Sequence, residues 1–324
     1  MKIDKEIKFI AALSLFILTF GCITQEEVPK SYEDIKVLYA GSKISRVAPN
    51  TSTFVVITVL NNVLGEEAKN IMVSLENVEP FLVIEPNSSC ENGCEPNTTR
   101  SWESFFGYTC DRGKEVREHC MTRLAPGDIV DFFWILRAPD RYQIGNMVYT
   151  HKMYYTITYD YTATVIYRIG AINERELVAG RRTSNYVINR TASPIRFEGQ
   201  TPDLSVIYNS DYPRKGYLYF ALSPEPGAGG TLAENITVEV KYPDSNYLSG
   251  VSNEVGEELG WRIDGDTAIK EITPLEFGAG INLKLPIYLP PSSDPVKNLD
   301  FKIVFSYKFI KYGSFDLTVV PIKV

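Results

Sequence analysis

The stretch "KMYYTITYDYT" (residues 152–162) decides the fold class. Met153, Tyr155, Ile157, Tyr159 and Tyr161 fall on one side of an extended chain, with Tyr154, Thr156, Thr158 and Asp160 on the other. Successive side chains of a strand point to opposite faces, so this alternation describes a half-buried antiparallel strand. "DFKIVFSYKFI" (300–310) repeats it, with Phe301, Ile303, Phe305, Tyr307 and Phe309 inward and Lys302, Ser306 and Lys308 outward. "TFVVITVLNN" (53–62), "KNIMVSLENV" (69–78) and "DIVDFFWILRAP" (128–139) are β-branched or aromatic runs stopped by turn residues. No capped stretch of helical periodicity stands out after the N-terminal segment, and the expectation is an all-β protein.

The pattern occurs twice. "EAKNIMVSLENVEP" (67–80) is echoed by "LAENITVEVKYPDS" (232–245) at an offset of 165, matching Ala68, Asn70 and Ile71 with Ala233, Asn235 and Ile236. "LAPGDIVDFFWILRAP" (124–139) is echoed by "EFGAGINLKLPIYLPP" (276–291) at an offset of 152, which also pairs Tyr155 with Tyr307. The expected organisation is two tandem β-sandwiches, at 35–175 and 203–324, with 176–202 as a linker holding one extra strand at "NYVI". A long loop at 87–126 belongs to the first copy only.

These blocks resemble the adhesion-related, immunoglobulin-like (CARDB-like) modules of prokaryotic, and in particular archaeal, cell-surface lipoproteins. There a strand ends in "NN" and a Gly turn, an "A-x-N-V/I" block opens the next, and a Pro-Gly turn precedes a strand that closes with Pro. The second copy keeps "AENITVEV" and replaces the "NNxG" turn with "PEPGAGG". The resemblance implies immunoglobulin-like antiparallel sandwiches of about seven strands and carries over no catalytic residue.

The N-terminus sets the expected compartment. Lys2, Lys5 and Lys8 precede an apolar run over residues 9–20, which as a helix spans roughly 18 Å, short of a bilayer's hydrocarbon core. A short apolar run behind a basic start is an export signal. Gly21-Cys22 at its edge resembles the lipobox of exported lipoproteins, whose cysteine becomes the lipidated first residue. Residues 1–22 are therefore expected as signal peptide, with an uncleaved membrane anchor as the alternative, and 23–34 as tether. Outside the cell the remaining cysteines, Cys90, Cys94, Cys110 and Cys120, are expected to form two disulfides, with three possible connectivities. Their spacing does not match the usual paired C-x-x-C of a zinc site. Asn50, Asn87, Asn97, Asn189 and Asn235 each open an N-x-S/T triplet and are glycosylation candidates.

Chemistry is sparse. The formal net charge of −7 disfavours nucleic acid. The two histidines, His119 and His151, are few for a hydrolase, and His119 is expected in the loop. "RIDGDT" (262–267) is expected as a hairpin turn, and no nucleotide-binding or nucleophile-elbow motif occurs. No enzyme activity, cofactor or metal is expected. Trp102, Phe105, Phe106 and Tyr108 form an aromatic cluster in the long loop, suited to a protein or glycan contact. The expectation is a non-catalytic cell-envelope lipoprotein on the outer face of the cytoplasmic membrane, a structural or adhesion module whose partners are the membrane, other envelope proteins or surface glycans. Alternatives are a carbohydrate-binding lipoprotein and a filament subunit built by strand addition.

Overall fold

The computed structural model describes residues 33–44, 46–84, 108–109, 118–145, 147–202 and 206–321. Contacts divide the chain into Met1–Ser31 and Tyr32–Val324, and all described residues belong to the second unit. The first half of the chain forms β1 (Ile35–Ser42), β2 (Arg46–Val47), β3 (Ser52–Asn61), β4 (Ala68–Glu76), β5 (Leu82–Ile84), β6 (Tyr108–Thr109), β7 (Glu118–Leu124), β8 (Ile129–Arg137) and β9 (Tyr149–Asn173). The second forms β10 (Tyr186–Arg190), β11 (Ile195–Gly199), β12 (Ile207–Tyr208), β13 (Arg214–Pro224), β14 (Gly230–Leu232), β15 (Ile236–Lys241), β16 (Arg262–Asp264), β17 (Thr267–Ile272), β18 (Ile281–Leu289) and β19 (Val296–Val319). The protein is all-β, and its main pairings are antiparallel.

Among the described residues three sheets form: a four-stranded one in the order β1-β3-β8-β5, a three-stranded one in the order β11-β13-β18, and a twelve-stranded one organised around β9 and β19. These two strands hold 25 and 24 residues, against the 3–10 usual for a strand. Neither contains a proline, so every residue can enter the ladder. Each is the other's partner from Val296–Ile172 at one end to Val319–Tyr149 at the other. Met153, Tyr155, Ile157, Tyr159 and Tyr161 are all buried, as are Phe301, Ile303, Phe305, Tyr307 and Phe309.

The two halves repeat the same pairings. β1-β3-β8 corresponds to β11-β13-β18, and β7-β4-β9 to β17-β15-β19. Each long strand begins against its own half and ends against the other. β9 pairs with β4 over Tyr154–Asp160 and finishes in parallel with β12 at Ile172 and Asn173. β19 pairs with β15 over Lys302–Ser306 and finishes in parallel with β2 at Thr318 and Val319. The offset of 152 carries Tyr155 to Tyr307 and Tyr161 to Gly313; both Tyr161–Tyr307 and Tyr155–Gly313 are cross-strand pairs. The ladder therefore maps onto itself by a two-fold rotation, and the halves exchange strand ends within one chain.

Three expectations need amendment, and the hairpin turn expected at "RIDGDT" is met. In the β8/β18 block an offset of 152 places buried Phe132 on outward Lys284; alternation and the positive φ of Gly127 and Gly280 (86° and 76°) require 153. A one-residue slip exchanges the faces of a strand, so the correction reassigns every side chain in the block. Residues 176–202 are built into the fold: β10 lies along β9 and β11 opens the three-stranded sheet. Thr183 Oγ1 donates to the Gly170 carbonyl at 2.9 Å, and Glu174 accepts from Arg214 and Asn209. β10 is the extra strand expected at "NYVI". The interval 87–126 contains β7, and His119 on it is buried rather than in a loop. Its ring meets Trp134 edge-on at 4.5 Å and its Nε2 lies 2.8 Å from the Phe133 carbonyl oxygen. "RIDGDT" is a hairpin turn, with Asp264 paired to Thr267 across Gly265 and Asp266.

The exchange leaves tight places beside β19. A methyl at Gly230 on β14 would strike the backbone carbonyl of Ile310, which cannot swing away as a side chain could. Gly230→Ala is expected to cost about 1–3 kcal/mol, seen as a lower denaturant midpoint at unchanged slope.

Candidate functional site

Cys22, Cys90, Cys94, Cys110, Asn87, Asn97, Trp102, Phe105 and Phe106 lie outside the described residues, as does the side chain of Tyr108. Cys120 is half-buried on β7. Asn50, Asn189 and Asn235 are exposed, in the turn before β3, on β10 and just before β15. Among the described residues no group of three or more His, Cys, Asp or Glu could hold a metal ion, and no helix is long and apolar enough to cross a membrane. Two features remain: a buried polar knot and one outward sheet face.

The knot forms where β1 meets the crossing of β9 and β19. Asp34, placed in the tether by sequence, is fully buried, and Glu33 is half-buried. Asp34 Oδ1 accepts from the Ile35 N–H at 2.7 Å and the Tyr159 hydroxyl at 2.9 Å; Oδ2 accepts from the Tyr307 hydroxyl at 3.3 Å. The Tyr307 hydroxyl lies 3.2 Å from Ser193 Oγ, which accepts from the Ile195 N–H. Lys311, almost fully buried, forms an ion pair with Glu33. Burial raises the Asp34 carboxyl to about 6, against the opposing pull of Lys311, the Ile35 amide and Tyr159. Burial and the Asp34 charge hold the Tyr159 and Tyr307 hydroxyls well above their ordinary range. The carboxylate oxygens are thus engaged inside the protein, tying the entering chain to segments of both halves.

The turn beside it explains the "NNVLG" block. Asn61 Nδ2 donates to the carbonyls of Glu66 and Leu124, and Asn62 Nδ2 to that of Glu33. The Tyr161 hydroxyl accepts from the Glu66 N–H at 2.6 Å and sits where a side chain at residue 65 would be, which accounts for Gly65.

The outward face of β1-β3-β8-β5 is the second feature. Cross-strand pairs Phe54–Ile135, Val56–Phe133, Thr58–Asp131 and Leu60–Ile129 lie on the face opposite Val55, Ile57 and Val59, with Val56 itself buried and Leu82 on β5 beside Arg137. Phe54, Ile129 and Leu82 are 51, 52 and 56% exposed. At the matched pairs of the second half stand Lys215–Tyr288, Tyr217–Pro286, Tyr219–Lys284 and Ala221–Asn282. There Lys284 Nζ lies 4.1 Å from the Tyr217 ring centroid and Lys215 pairs with Glu254. One outward face is dressed with lysine and tyrosine; at the four matched pairs the other is apolar except for Thr58 and Asp131, joined by a 2.6 Å hydrogen bond, with Lys36 and Arg137 at its ends. The signal was present in "TFVVITVL" and "DIVDFFWIL", which are apolar in both phases, as strands covered on both faces are.

No family model matches the chain, and no curated protein matches it. Among solved structures it is similar to a red sea bream transglutaminase (11% identity, TM-score 0.20, covering 90% of this chain and 32% of that one). It is also similar to the C-terminal globular domain of an oligosaccharyltransferase from Pyrococcus abyssi (8%, 0.21, 90% and 50%) and to a collagen adhesin from S. aureus (10%, 0.13, 90% and 94%). The chain thus spans about a third of the first and half of the second. Likenesses with TM-scores this low carry no argument, and the fold rests on its own strand pairings.

Proposed function

We propose that this chain is a non-catalytic cell-envelope lipoprotein: tethered outside the membrane by lipid at Cys22, it carries two immunoglobulin-like β-sandwiches as a structural or protein-interaction module. The observation that carries the interaction reading is the contrast in composition between the two outward faces, lysine and tyrosine standing in one where the other has apolar side chains at matched positions. Phe54, Ile129 and Leu82 are exposed on the apolar face, and exposed apolar side chains grouped on one surface mark a contact site. The exchanged strands support the structural role, since separating the halves would strip a 24-pair ladder. In this reading Cys90, Cys94, Cys110 and Cys120 form two disulfides, and the exposed Asn50, Asn189 and Asn235 are available to glycans. The intact mass of membrane-extracted protein, before and after reduction, tests it. A lipidated chain starting at Cys22 that gains four hydrogens on reduction is expected. A full-length chain with free thiols would instead establish an uncleaved anchor in a reducing compartment.

A further inference from the structure

We infer that the outward face of the three-stranded sheet β11-β13-β18 binds an anionic polysaccharide, with Tyr217 and Tyr219 under its sugar rings and Lys284 on a carboxylate or sulfate that it carries. This goes beyond the reading above, which rests on the sheet of the other half, and it does not depend on the tether. The observation is a difference at one cross-strand pair. In the first half Thr58 and Asp131 stand opposite each other and are satisfied by their own hydrogen bond. At the matched pair of the second half stand Tyr219 and Lys284. The Lys284 amine has no carboxylate partner among the described residues; it lies 4.1 Å from the Tyr217 ring centroid and 6.0 Å from that of Tyr219. The fold itself therefore does not require a cation and tyrosines there.

The surroundings leave that charge uncompensated. Lys215 Nζ lies 5.4 Å from the Tyr217 ring centroid but pairs with Glu254. On β11, Glu198 stands beside Ala221 and is taken by Arg196. Charge complementarity thus selects an anion, although the chain as a whole carries −7, and the rings select what bears it. The Tyr217 and Tyr219 centroids are 5.9 Å apart with the planes at 45°, both side chains half-buried. An aromatic face is electron-rich and accepts C–H groups, while a phenolic hydroxyl donates and accepts. A sugar ring offers both a C–H face and hydroxyls; an acidic peptide would use the amine and leave the rings idle. An exposed ammonium is held only weakly by a ring, and a carboxylate or sulfate takes it in a stronger, charge-assisted hydrogen bond. An arriving polyanion can therefore draw Lys284 off Tyr217 and open that ring to stacking. One end of the site is walled: Gly250 lies so close to the Tyr288 ring that a Cβ would strike it, and Glu254 follows in the same segment.

The test is affinity electrophoresis of the full-length chain, in uncharged detergent, through gels holding polygalacturonate, dextran sulfate, neutral dextran or polyglutamate. Retardation by at least one of the first two and by neither of the others is expected, and the more effective one identifies the anion as carboxylate or sulfate. Lys284→Gln is expected to raise the dissociation constant about tenfold, as for one lost charge-assisted hydrogen bond. Tyr219→Ala is expected to raise it about fivefold, as for one lost aromatic contact. Lys302→Gln, at an exposed lysine of β19, should leave it unchanged. No retardation by either polyanion would overturn the inference. So would equal losses in Lys284→Gln and Lys302→Gln, because the attraction would then be diffuse charge. Equal retardation by polyglutamate, or undiminished retardation of Tyr219→Ala, would overturn it too, since the rings would then play no part.

Discussion

Between about pH 3.5 and pH 8 the Asp34→Asn variant is expected to gain about 3 kcal/mol of unfolding free energy relative to wild type. Burial holds the Asp34 carboxyl at about 6 in the folded protein, against an unfolded value of 3.8. A raised acid binds more protons folded than unfolded. Its stabilising contribution is complete below the unfolded value and is lost as pH rises through about 6. The gap, at about 1.4 kcal/mol per pKa unit, gives the stated size. Asparagine suits the site because its Oδ1 can keep accepting from the Ile35 N–H and the Tyr159 hydroxyl. Its amide can donate to the Tyr307 hydroxyl, which then donates to Ser193 Oγ. Lys311 keeps its ion pair with Glu33. Asp300, lowered chiefly by its Arg168 hydrogen bond, and Glu276, lowered chiefly by the Thr273 amide, give slopes of the opposite sign. Both are present in the two proteins and cancel in the difference. Denaturant unfolding across the pH range checks this, and parallel curves for the two proteins would sink it.

That knot was illegible in the sequence for a physical reason. Asp34 follows "SYE" and precedes the first apolar position, so by composition it belongs to a polar tether. Its burial comes from β9 and β19, more than a hundred residues away, and from Asn62, whose N–H donates to the Asp34 carbonyl at 2.7 Å. Alternation tells which face of a strand is inward, and it did so for Tyr155 through Tyr161 and for Phe301 through Phe309. It does not tell which strand lies alongside, and the strand exchange is a statement about neighbours. Lys311 shows the same limit: it occupies an inward position of β19, although a lysine by itself reads as outward. His119, beside Cys120, reads as a loop residue, although its alternation with Met121 fits β7. The apolar outward face was legible in the double-phase runs of residues 53–60 and 128–136. The comparison with matched positions in the second half needs the offset of 153, which the strand registers fix and the closing prolines, 152 apart, conceal.

The exchange of strand ends predicts that a lesion in one half is felt in the other. Phe305 lies on β19 in the second half, fully buried, paired with Ala163 on β9 and Val238 on β15. Its ring centroid lies 6.4 Å from that of Phe197 on β11. Phe305→Ala removes a large buried ring and leaves a cavity, at an expected cost of about 3–5 kcal/mol. In two sandwiches joined by a linker that loss would be confined to one of them, and calorimetry would show one transition displaced and one unchanged. Here the last part of β19 closes the first half against β2, and the last part of β9 closes the second against β12. Melting either half therefore takes an edge from the other. A single transition is expected in both proteins, lower in the variant. Amide exchange in β3 and β8, which belong to the undamaged half, should accelerate by the factor that the calorimetric loss implies, since these amides would open only with the whole unit. Unchanged protection in β3 and β8 beside a destabilised β13 and β18 would show that the halves unfold independently, and the long ladder would then be a hinge rather than a shared core.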